Sequence, residues 1–286
     1  MITAIWIALI VLAIFYSYVL VKDIIKHKGI LENVSIAKTA IIGFVVNFFD
    51  TLGIGSFAPQ TALLKFTKQT EDRLIPGTLN VSNTIPVLIQ SLIFIQIVEV
   101  EAITLIAMLA SATSGAILGA GIVAKLSTRK IQLTMGFALL VTAFFMFSGQ
   151  MEWIQGGGEA IGLSGWKLAV AVGVNFILGA LMTAGIGMYA PCMALIYGLG
   201  MSPLVAFPIM MGSCAFLMPP ASVKFIKEGA YNRKASIAMI IPGAIAVLIA
   251  AFLVKSLDLN TLRWVVIVVI LYTSFIMLRS AKQGKP

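Results

Sequence analysis

The sequence predicts an all-α polytopic membrane protein, with seven transmembrane helices plus two re-entrant helical hairpins in an inverted-topology repeat. Three observations predict this fold: the composition, the placement of Lys and Arg, and a motif that occurs twice. Of the 286 residues, 60% are hydrophobic and only 11% are charged, and the mean hydropathy is +1.03. Several apolar runs exceed the ~20 residues that cross a bilayer, which excludes an ordinary soluble domain.

The charged residues indicate a membrane protein and not a nucleic-acid-binding one. The net charge is +9, but the basic residues lie in short loops beside apolar segments, as the positive-inside rule predicts. Residues 1–21 lack a basic start and a small-residue cleavage site, so we expect a retained span and not a signal peptide. The chain is therefore expected in a membrane, surrounded by the lipid bilayer.

The sequence contains no motif for enzyme chemistry, for a cofactor or for a metal. It has no phosphate loop, nucleotide domain or His-based triad, and its single histidine, His27, lies in a basic loop. Cys192 and Cys214 both lie in apolar segments, and they provide neither a disulfide framework nor metal-ligand spacing. We therefore predict no enzyme, no cofactor and no metal site.

The apolar segments and the basic residues between them predict which loops share a side. Apolar segments fall at about 3–21, 39–66, 75–98, 102–124, 131–150, 168–196, 204–223, 236–254 and 262–279. The regions rich in Lys and Arg are predicted to be cytoplasmic: 22–38, 65–73, 125–130, 224–235 and the tail with Arg279, Lys282 and Lys285. The turn near Glu99 and Glu101 is predicted outside, as is the stretch 151–167 with its three successive glycines.

Two segments must return to the side from which they enter. If every segment crossed, loops 22–38 and 65–73 would lie on opposite sides, although both are basic. Segment 39–66 is therefore predicted to fold back at Gly53-Ile54-Gly55, with arms of roughly 11–14 residues that reach the middle of the bilayer. Segment 168–196 likewise enters from outside and returns there. The N-terminus is then outside and the C-terminus cytoplasmic, whereas nine straight spans cannot place the basic loops consistently.

The motif at the first fold-back occurs again in the second. "GIGSFAPQTALL" at 53–64 and "GIGMYAPCMALI" at 185–196 are identical at seven of twelve positions, and the same offset of 132 aligns Pro76 with Pro208. We predict one transmembrane domain, 1–286, that contains an extra first helix and loop (1–36), repeat 1 (37–150) and repeat 2 (166–281). Three crossings separate equivalent residues, so the repeats are inverted, as is typical of secondary transporters.

The chemistry of the two breaks predicts a site for a small anion. Glycine permits the sharp reversal and a close approach of ligand to backbone, while Pro59 and Pro191 suit the first turn of a new half-helix. Free N–H groups at the two half-helix N-termini then point at the centre of the protein. The predicted substrate-binding residues at the breaks are Gly53, Gly55, Ser56, Phe57, Gly185, Gly187, Met188 and Tyr189.

Further polar residues are predicted to face the bundle and not lipid. Asn80, Asn83, Thr84 and Ser91 recur near helical spacing on one face of segment 75–98, which favours a polar cavity. The matching region of the second repeat offers Gly212, Ser213 and Cys214. For Ser213 and Cys214, substrate contact and helix packing are both open. Gly115 and Gly119 form a small-xxx-small pair that predicts close helix contact.

Asp50 is an acid within an apolar segment, and such residues are functional candidates. Burial beside an anion site favours its protonated form, so a proton that moves with or against the anion is one hypothesis. The alternative is an aspartate that caps the local backbone at the break.

The paired "GIGSFAP" and "GIGMYAP" hairpins, the asparagine-bearing span after the first, and the overall length resemble the TauE/SafE family of bacterial membrane permeases. The resemblance covers roughly 37–281, and it implies export of sulfite or of small organosulfonates such as sulfoacetate. It also implies that the substrate region includes Gly53, Gly55, Ser56, Gly185, Gly187 and Met188, with the faces of Asn80 and Gly212. Many relatives continue with further glycines where this chain has Ser56-Phe57 and Met188-Tyr189.

Two other functions stay open at this point. A passive anion channel is one, because sequence does not distinguish a gated pore from alternating access. A membrane thiol-electron relay is the other, supported only by Cys192 and Cys214, whose equivalents in the first repeat are Gln60 and Ser82. The anion, the driving ion and any homo-oligomer are not determined by the sequence.

Overall fold

The described part of the chain is all α-helical in the computed structural model, which describes residues 2–96, 98–153, 158–253 and 260–283. Within those ranges no strand occurs, and the all-α prediction is confirmed. The helices are α1 Ile2–Lys26, α2 Ile36–Thr51, α3 Phe57–Phe66, α4 Ile75–Phe94, α5 Ala102–Val123, α6 Thr128–Gln150, α7 Gly165–Met182, α8 Tyr189–Gly198, α9 Ala206–Lys227, α10 Arg233–Leu253 and α11 Asn260–Gln283.

Length and composition make six described helices candidates for membrane spans: α1, α5, α6, α7, α9 and α10. This confirms an apolar multi-helix membrane protein, but the six are not the same set as the seven predicted spans. Helix α7, with 18 residues, qualifies by length although the sequence predicts it to be one arm of a hairpin. Helix α4 is not among the six, because its asparagines, serines and threonines lower its hydropathy. Most residues of α4 are buried in protein.

Three of the predicted cytoplasmic loops meet at one end of the bundle. The backbone N–H of Ser35 donates to Oε1 of Gln69 over 2.8 Å, and Nδ2 of Asn232 donates to the carbonyl of Gln69 over 3.3 Å. A fourth basic loop reaches the same end, where Lys125 lies 3.8 Å from Glu228. The basic loops 22–38, 65–73, 125–130 and 224–235 are therefore neighbours. Lys285 of the basic tail lies outside the described residues.

The loops predicted to lie outside meet at the opposite end, which α5 connects to the basic end. The backbone N–H of Glu101 donates to the carbonyl of Ile161 over 2.9 Å, and that of Ser202 donates to Ala160 over 2.9 Å. Lys167 Nζ donates to the carbonyl of Leu199 over 3.0 Å. The predicted grouping of loops is thus present in the structure. Gly156 and Gly157 of the outer loop lie outside the described residues.

Each broken segment forms a hairpin with unequal arms, whereas arms of similar length were predicted. Helices α2 and α7 have 16 and 18 residues, about 24 and 27 Å at 1.5 Å per residue. Helices α3 and α8 have only 10 residues each, or about 15 Å. The long arms continue until Gly53 (φ +89°) and Gly185 (φ +99°) reverse the chain, and those left-handed positions fix where each helix ends.

The long arms of the two hairpins pack mainly against the other half of the chain. Helix α2 lies along α10, and α7 lies along α5. A Cβ added at Gly43 would lie 2.6 Å from Met239 Cα, and one added at Gly119 would lie 2.6 Å from the carbonyl oxygen of Ala180. The prediction of close helix contact at Gly119 is confirmed, because no larger residue fits there without movement.

Helix α1 adds a further helix to the outside of this arrangement. The Tyr16 hydroxyl donates to the carbonyl of Val81 over 2.6 Å, and at the helix end Asp23 accepts from Tyr231 and from Arg233, each over 2.7 Å. Burial raises the pKa of Tyr231, and its hydrogen bond to Asp23 raises it further. Tyr231 therefore remains a neutral donor that ties α1 to the loop before α10.

Candidate functional site

The two chain breaks line one small, buried cavity. Residues that the sequence analysis selected from both motifs surround it, together with Asp50 and side chains of α4, α7 and α9. The cavity has a volume of about 20 Å³, enough for about one water-sized group. The lining residues are Asp50, Gly55, Ser56, Phe57, Val87, Met182, Gly187, Met188, Tyr189 and Cys214.

Glycine has a different role at each position of the two motifs. Gly53 and Gly185 have φ of +89° and +99° and reverse the chain. Gly55 also has a positive φ of +89°, whereas Gly187 does not, so the two breaks differ in backbone conformation. A Cβ added at Gly55 would meet nothing within 4 Å, and one at Gly187 would meet only Thr142 Cγ2 at 3.9 Å. Both sites thus leave room beside the backbone.

Both half-helices begin at this cavity without a side-chain cap. The N-cap residues are Ser56 for α3 and Met188 for α8, and neither side chain accepts a hydrogen bond from its own helix. Pro59 and Pro191 follow in the first turn, where a missing N–H costs nothing. Uncapped helix N-termini attract negative charge through their free N–H groups.

The carboxylate of Asp50 lies at the N-terminus of α3. The hydroxyl and the backbone N–H of Ser56, the N-cap residue of α3, lie close to this carboxylate. Gln90 Nε2 donates to Asp50 Oδ2 over 2.8 Å and to Thr51 Oγ1 over 3.0 Å. Asp50 is only 2% exposed. An anion in the cavity would therefore share the N-terminus of α3 with this acid.

Tyr189 connects the second break to the same network. Its hydroxyl lies 3.0 Å from Gln90 Oε1 and 3.3 Å from Asp50 Oδ2. Sequence reasoning missed both Gln90 and Thr51. For Gln90 a signal was present, since it lies seven residues after Asn83 and therefore on the same side of α4.

Asn83 lies in a separate buried network and not at the cavity. Its Oδ1 accepts from Asn47 Nδ2 over 2.9 Å, and its Nδ2 donates to Gln60 Oε1. Gln60 Nε2 in turn donates to Ser82 Oγ over 2.8 Å. These bonds join α2, α3 and α4, so Asn83 holds the first hairpin on α4. Asn80, also fully buried, donates to the carbonyl of Pro76 in its own helix over 2.9 Å.

The remaining selected residues lie apart from the cavity. Gly212 packs against Leu109 and Ile95, with an added Cβ 3.3 Å from Leu109 Cδ1. Ser213 Oγ accepts from Asn175 Nδ2 over 3.2 Å. An added Cβ at Gly185 would lie 2.8 Å from Met135 Cε. In this conformation Gly212 and Ser213 have packing contacts, which was the open alternative for Ser213.

A larger cavity of about 240 Å³, here called the vestibule, lies beside Gly53 and Ile54. Its other walls are the end of α6 and one face of α8, formed by Ala190, Met193, Ala194 and Tyr197. All four of these are partly exposed. The corresponding residues of α3 are Ala58, Thr61, Ala62 and Lys65, and the first three are buried. Access beside the two half-helices is therefore unequal.

A polar cluster, here called the latch, lies at the far end of α3. Lys65 forms an ion pair with Asp72, and Asp72 Oδ2 also accepts from Gln132 Nε2 over 2.8 Å. The side chains of Lys65 and Asp72 are 14% and 5% exposed. The equivalent positions of the second repeat, at the offset of 132, are Tyr197, Leu204 and Trp264, which carry no charge. The latch thus holds α3 to α6 at one end only.

These features define a class: a polytopic α-helical membrane protein whose two broken-helix hairpins meet at a buried cavity. Residues 167–286 match the family model described as "Sulfite exporter TauE/SafE", and this part of the chain carries a domain of that transporter family. The match covers α8 to α11 and nearly all of α7, and it confirms the resemblance there, over a shorter range than 37–281. No curated protein and no solved structure matches the chain.

Proposed function

We propose that the protein is a secondary transporter that moves a small anion, and that it exports sulfite or a small organosulfonate. The observation that carries the proposal is the meeting of two uncapped half-helix N-termini at one buried cavity. Each N-terminus is equivalent to roughly +0.5 elementary charge, and no Lys or Arg is among the described residues that line the cavity. Backbone groups would then hold the anion. The TauE/SafE match supports the substrate class.

Asp50 couples the anion to a proton in this proposal. A substrate anion and an ionised Asp50 would both lie at the N-terminus of α3. Two unit charges about 4 Å apart repel by roughly 4 kcal/mol at an effective dielectric constant near 20. Protonation of Asp50 removes this repulsion, so proton and anion would bind together. The alternative, in which Asp50 only caps the break, is also supported by the closeness of Ser56 to its carboxylate.

Alternating access is supported by the unequal surroundings of the two half-helices. The vestibule lies along one face of α8, whereas the corresponding face of α3 is buried. The end of α3 that lies farther from the break is held by the latch. A passive channel in its open state would need a wet path along both half-helices. In the proposed cycle α3 moves away from α6 and opens an equivalent cavity at the basic end, while the vestibule closes.

The proposed topology has α1, α4, α5, α6, α9, α10 and α11 as spans and the α2–α3 and α7–α8 pairs as re-entrant hairpins. The N-terminus would be outside and the basic loops cytoplasmic, in a bacterial inner membrane. The close approach of Ser35 to Gln69 and of Lys167 to Leu199 supports the hairpins. The inverted repeats 37–150 and 166–281 are supported by α3 and α8, whose bounds differ by the same 132 residues as the motif.

Ligand-induced thermal stabilisation of the purified protein tests the substrate class. Sulfite, sulfate, thiosulfate and short sulfonates would be compared, since a bound ligand raises stability by RT ln(1 + [L]/Kd). We expect stabilisation by sulfite or a short sulfonate and not by sulfate. Absence of stabilisation by all four classes would contradict an anion site. Counterflow of labelled anion into liposomes then separates transporter from channel, because a simple pore shows no trans-stimulation.

A further inference from the structure

Three sulfur-containing residues are among those that line the small cavity, and anion binding does not use their sulfur atoms. They belong to Met182 at the end of α7, Met188 in the second break and Cys214 in α9. Cys214 Sγ lies 3.6 Å from Met182 Sδ and 3.9 Å from Met188 Sδ. The three residues are 3%, 1% and 1% exposed. Tertiary packing brings them together from separate elements.

The spacing of these atoms suits a soft monovalent metal ion. Thiolate and thioether sulfur select ions such as Cu(I). With metal–sulfur bonds of about 2.3 Å, as for thiolate on zinc, three ligands in a plane around one ion stand about 4.0 Å apart. The two sulfur–sulfur distances from Cys214 are within a few tenths of an ångström of that value. The cavity also has room for about one water-sized occupant.

The charge balance also favours a monovalent ion. Coordination removes the thiol proton, so the thiol and the ion become a metal thiolate and a proton, with no change of oxidation state. The metal thiolate is neutral overall, which lowers the cost of burying it at membrane depth. Asp50 lines the same cavity and is the nearest carboxylate there to take the displaced proton.

We propose that Cys214, Met182 and Met188 form a binding site for one soft monovalent metal ion, Cu(I) or Ag(I). All three sulfur atoms contribute to the site, since neither a thioether alone nor the thiol alone surrounds the ion. It does not depend on anion transport, because its ligands are side-chain sulfur atoms, whereas backbone N–H groups would hold an anion.

Competition between the purified full-length protein and a chromophoric Cu(I) chelator, under anaerobic reducing conditions, tests the proposal. We expect one Cu(I) per chain, a loss of affinity of roughly a hundredfold in Cys214→Ser, and losses of about tenfold in Met182→Leu and in Met188→Leu. Leucine conserves the volume of methionine, so these two variants should fold without metal. Matched controls are Cys192→Ser and Met193→Leu, which alter sulfur residues outside this cavity and should bind Cu(I) normally.

Two results would overturn the proposal. One is the absence of stoichiometric Cu(I) binding to the wild-type protein. The other is unchanged affinity in the double variant Met182→Leu, Met188→Leu, which would reduce the site to a lone thiol. The double variant tests the proposal even if Cys214→Ser fails to fold. Thermal unfolding of each metal-free variant is measured first, to verify that the variant is folded.

Discussion

The hydroxyl of Tyr189, in the first turn of α8, lies 3.3 Å from Oδ2 of Asp50, near the end of α2. This contact joins the two chain breaks directly, and Gln90 of α4 bonds to both residues. The acid of the first hairpin and the first residue of the second half-helix therefore share one hydrogen-bond network. Anything that enters the cavity between them must rearrange that network, so binding is expected to act on both hairpins together.

Asp50→Asn tests proton coupling. The amide keeps the shape of the side chain and can accept from Ser56, but it cannot carry a proton on and off. We expect uptake driven by a pH gradient to be abolished in proteoliposomes, while exchange of labelled sulfite at equal pH stays largely intact. Glu159→Gln, at an exposed position, is the control. Gradient-driven uptake that matches the wild type would leave Asp50 as a local cap.

Gly187→Val and Gly55→Val test the approach of a ligand to the two breaks. Each adds a β-branched side chain beside the cavity, and we expect each to weaken sulfite binding at least tenfold, or about 1.4 kcal/mol. Only Gly55 has a positive φ, so only Gly55→Val should add backbone strain, roughly 1–2 kcal/mol. Thermal unfolding and ligand-induced stabilisation measure the two effects separately.

The control for the glycine pair is Gly173→Val in α7, where an added Cβ meets nothing within 4 Å. Gly119→Val should instead disturb packing against Ala180 without acting on the anion directly. Folded Gly187→Val protein that binds sulfite with wild-type affinity would contradict the proposal that the second break holds the anion.

Ala194→Cys and Ala62→Cys test the unequal access beside the half-helices, at positions related by the offset of 132. Ala194 lines the vestibule, whereas Ala62 is 0% exposed. In a background with Cys192→Ser and Cys214→Ser, we expect a membrane-impermeant maleimide to label Ala194→Cys quickly and Ala62→Cys much more slowly. Equal labelling of both would argue for a pore that is open at both ends.

Removal of the latch should expose the α3 face. Lys65→Met combined with Asp72→Asn removes both charges together, which avoids the penalty of leaving one buried charge unpaired, and the new amide oxygen can still accept from Gln132. We expect labelling of Ala62→Cys to increase and that of Ala194→Cys to fall, since access would move to the basic end. No change in either rate would show that the latch only stabilises the fold.

Sidedness is tested by single cysteines at Lys28 and Glu71, both exposed. Because Ser35 bonds to Gln69, the loops that carry these positions are neighbours. We expect an impermeant reagent to label both from the same side of the membrane, and to label Glu101→Cys, just before α5, from the other. Labelling of Lys28→Cys and Glu71→Cys from opposite sides would contradict the first re-entrant hairpin.

The sequence by itself determined the all-α class, the two breaks and the grouping of loops. These features depend on local properties: apolar length, glycine and proline at a reversal, and charge at a helix end. The start of α8 at Tyr189 and of α3 at Phe57 follows directly from the repeated Gly-Ile-Gly and the proline after it. Each of these signals lies in one contiguous stretch of the chain.

Only the tertiary structure decided which side chains share the cavity. Asn83 has the polarity expected of a site residue, yet its position along α4 places it beside Asn47 and Gln60, while Gln90, two turns further on the same side, reaches Asp50. The different φ at Gly55 and Gly187, the sulfur cluster around Cys214 and the burial of only one half-helix face also arise from packing between distant segments. The physical reason is that hydropathy and spacing fix where a helix begins and ends, whereas its rotation and its neighbours depend on side-chain contacts across the whole bundle.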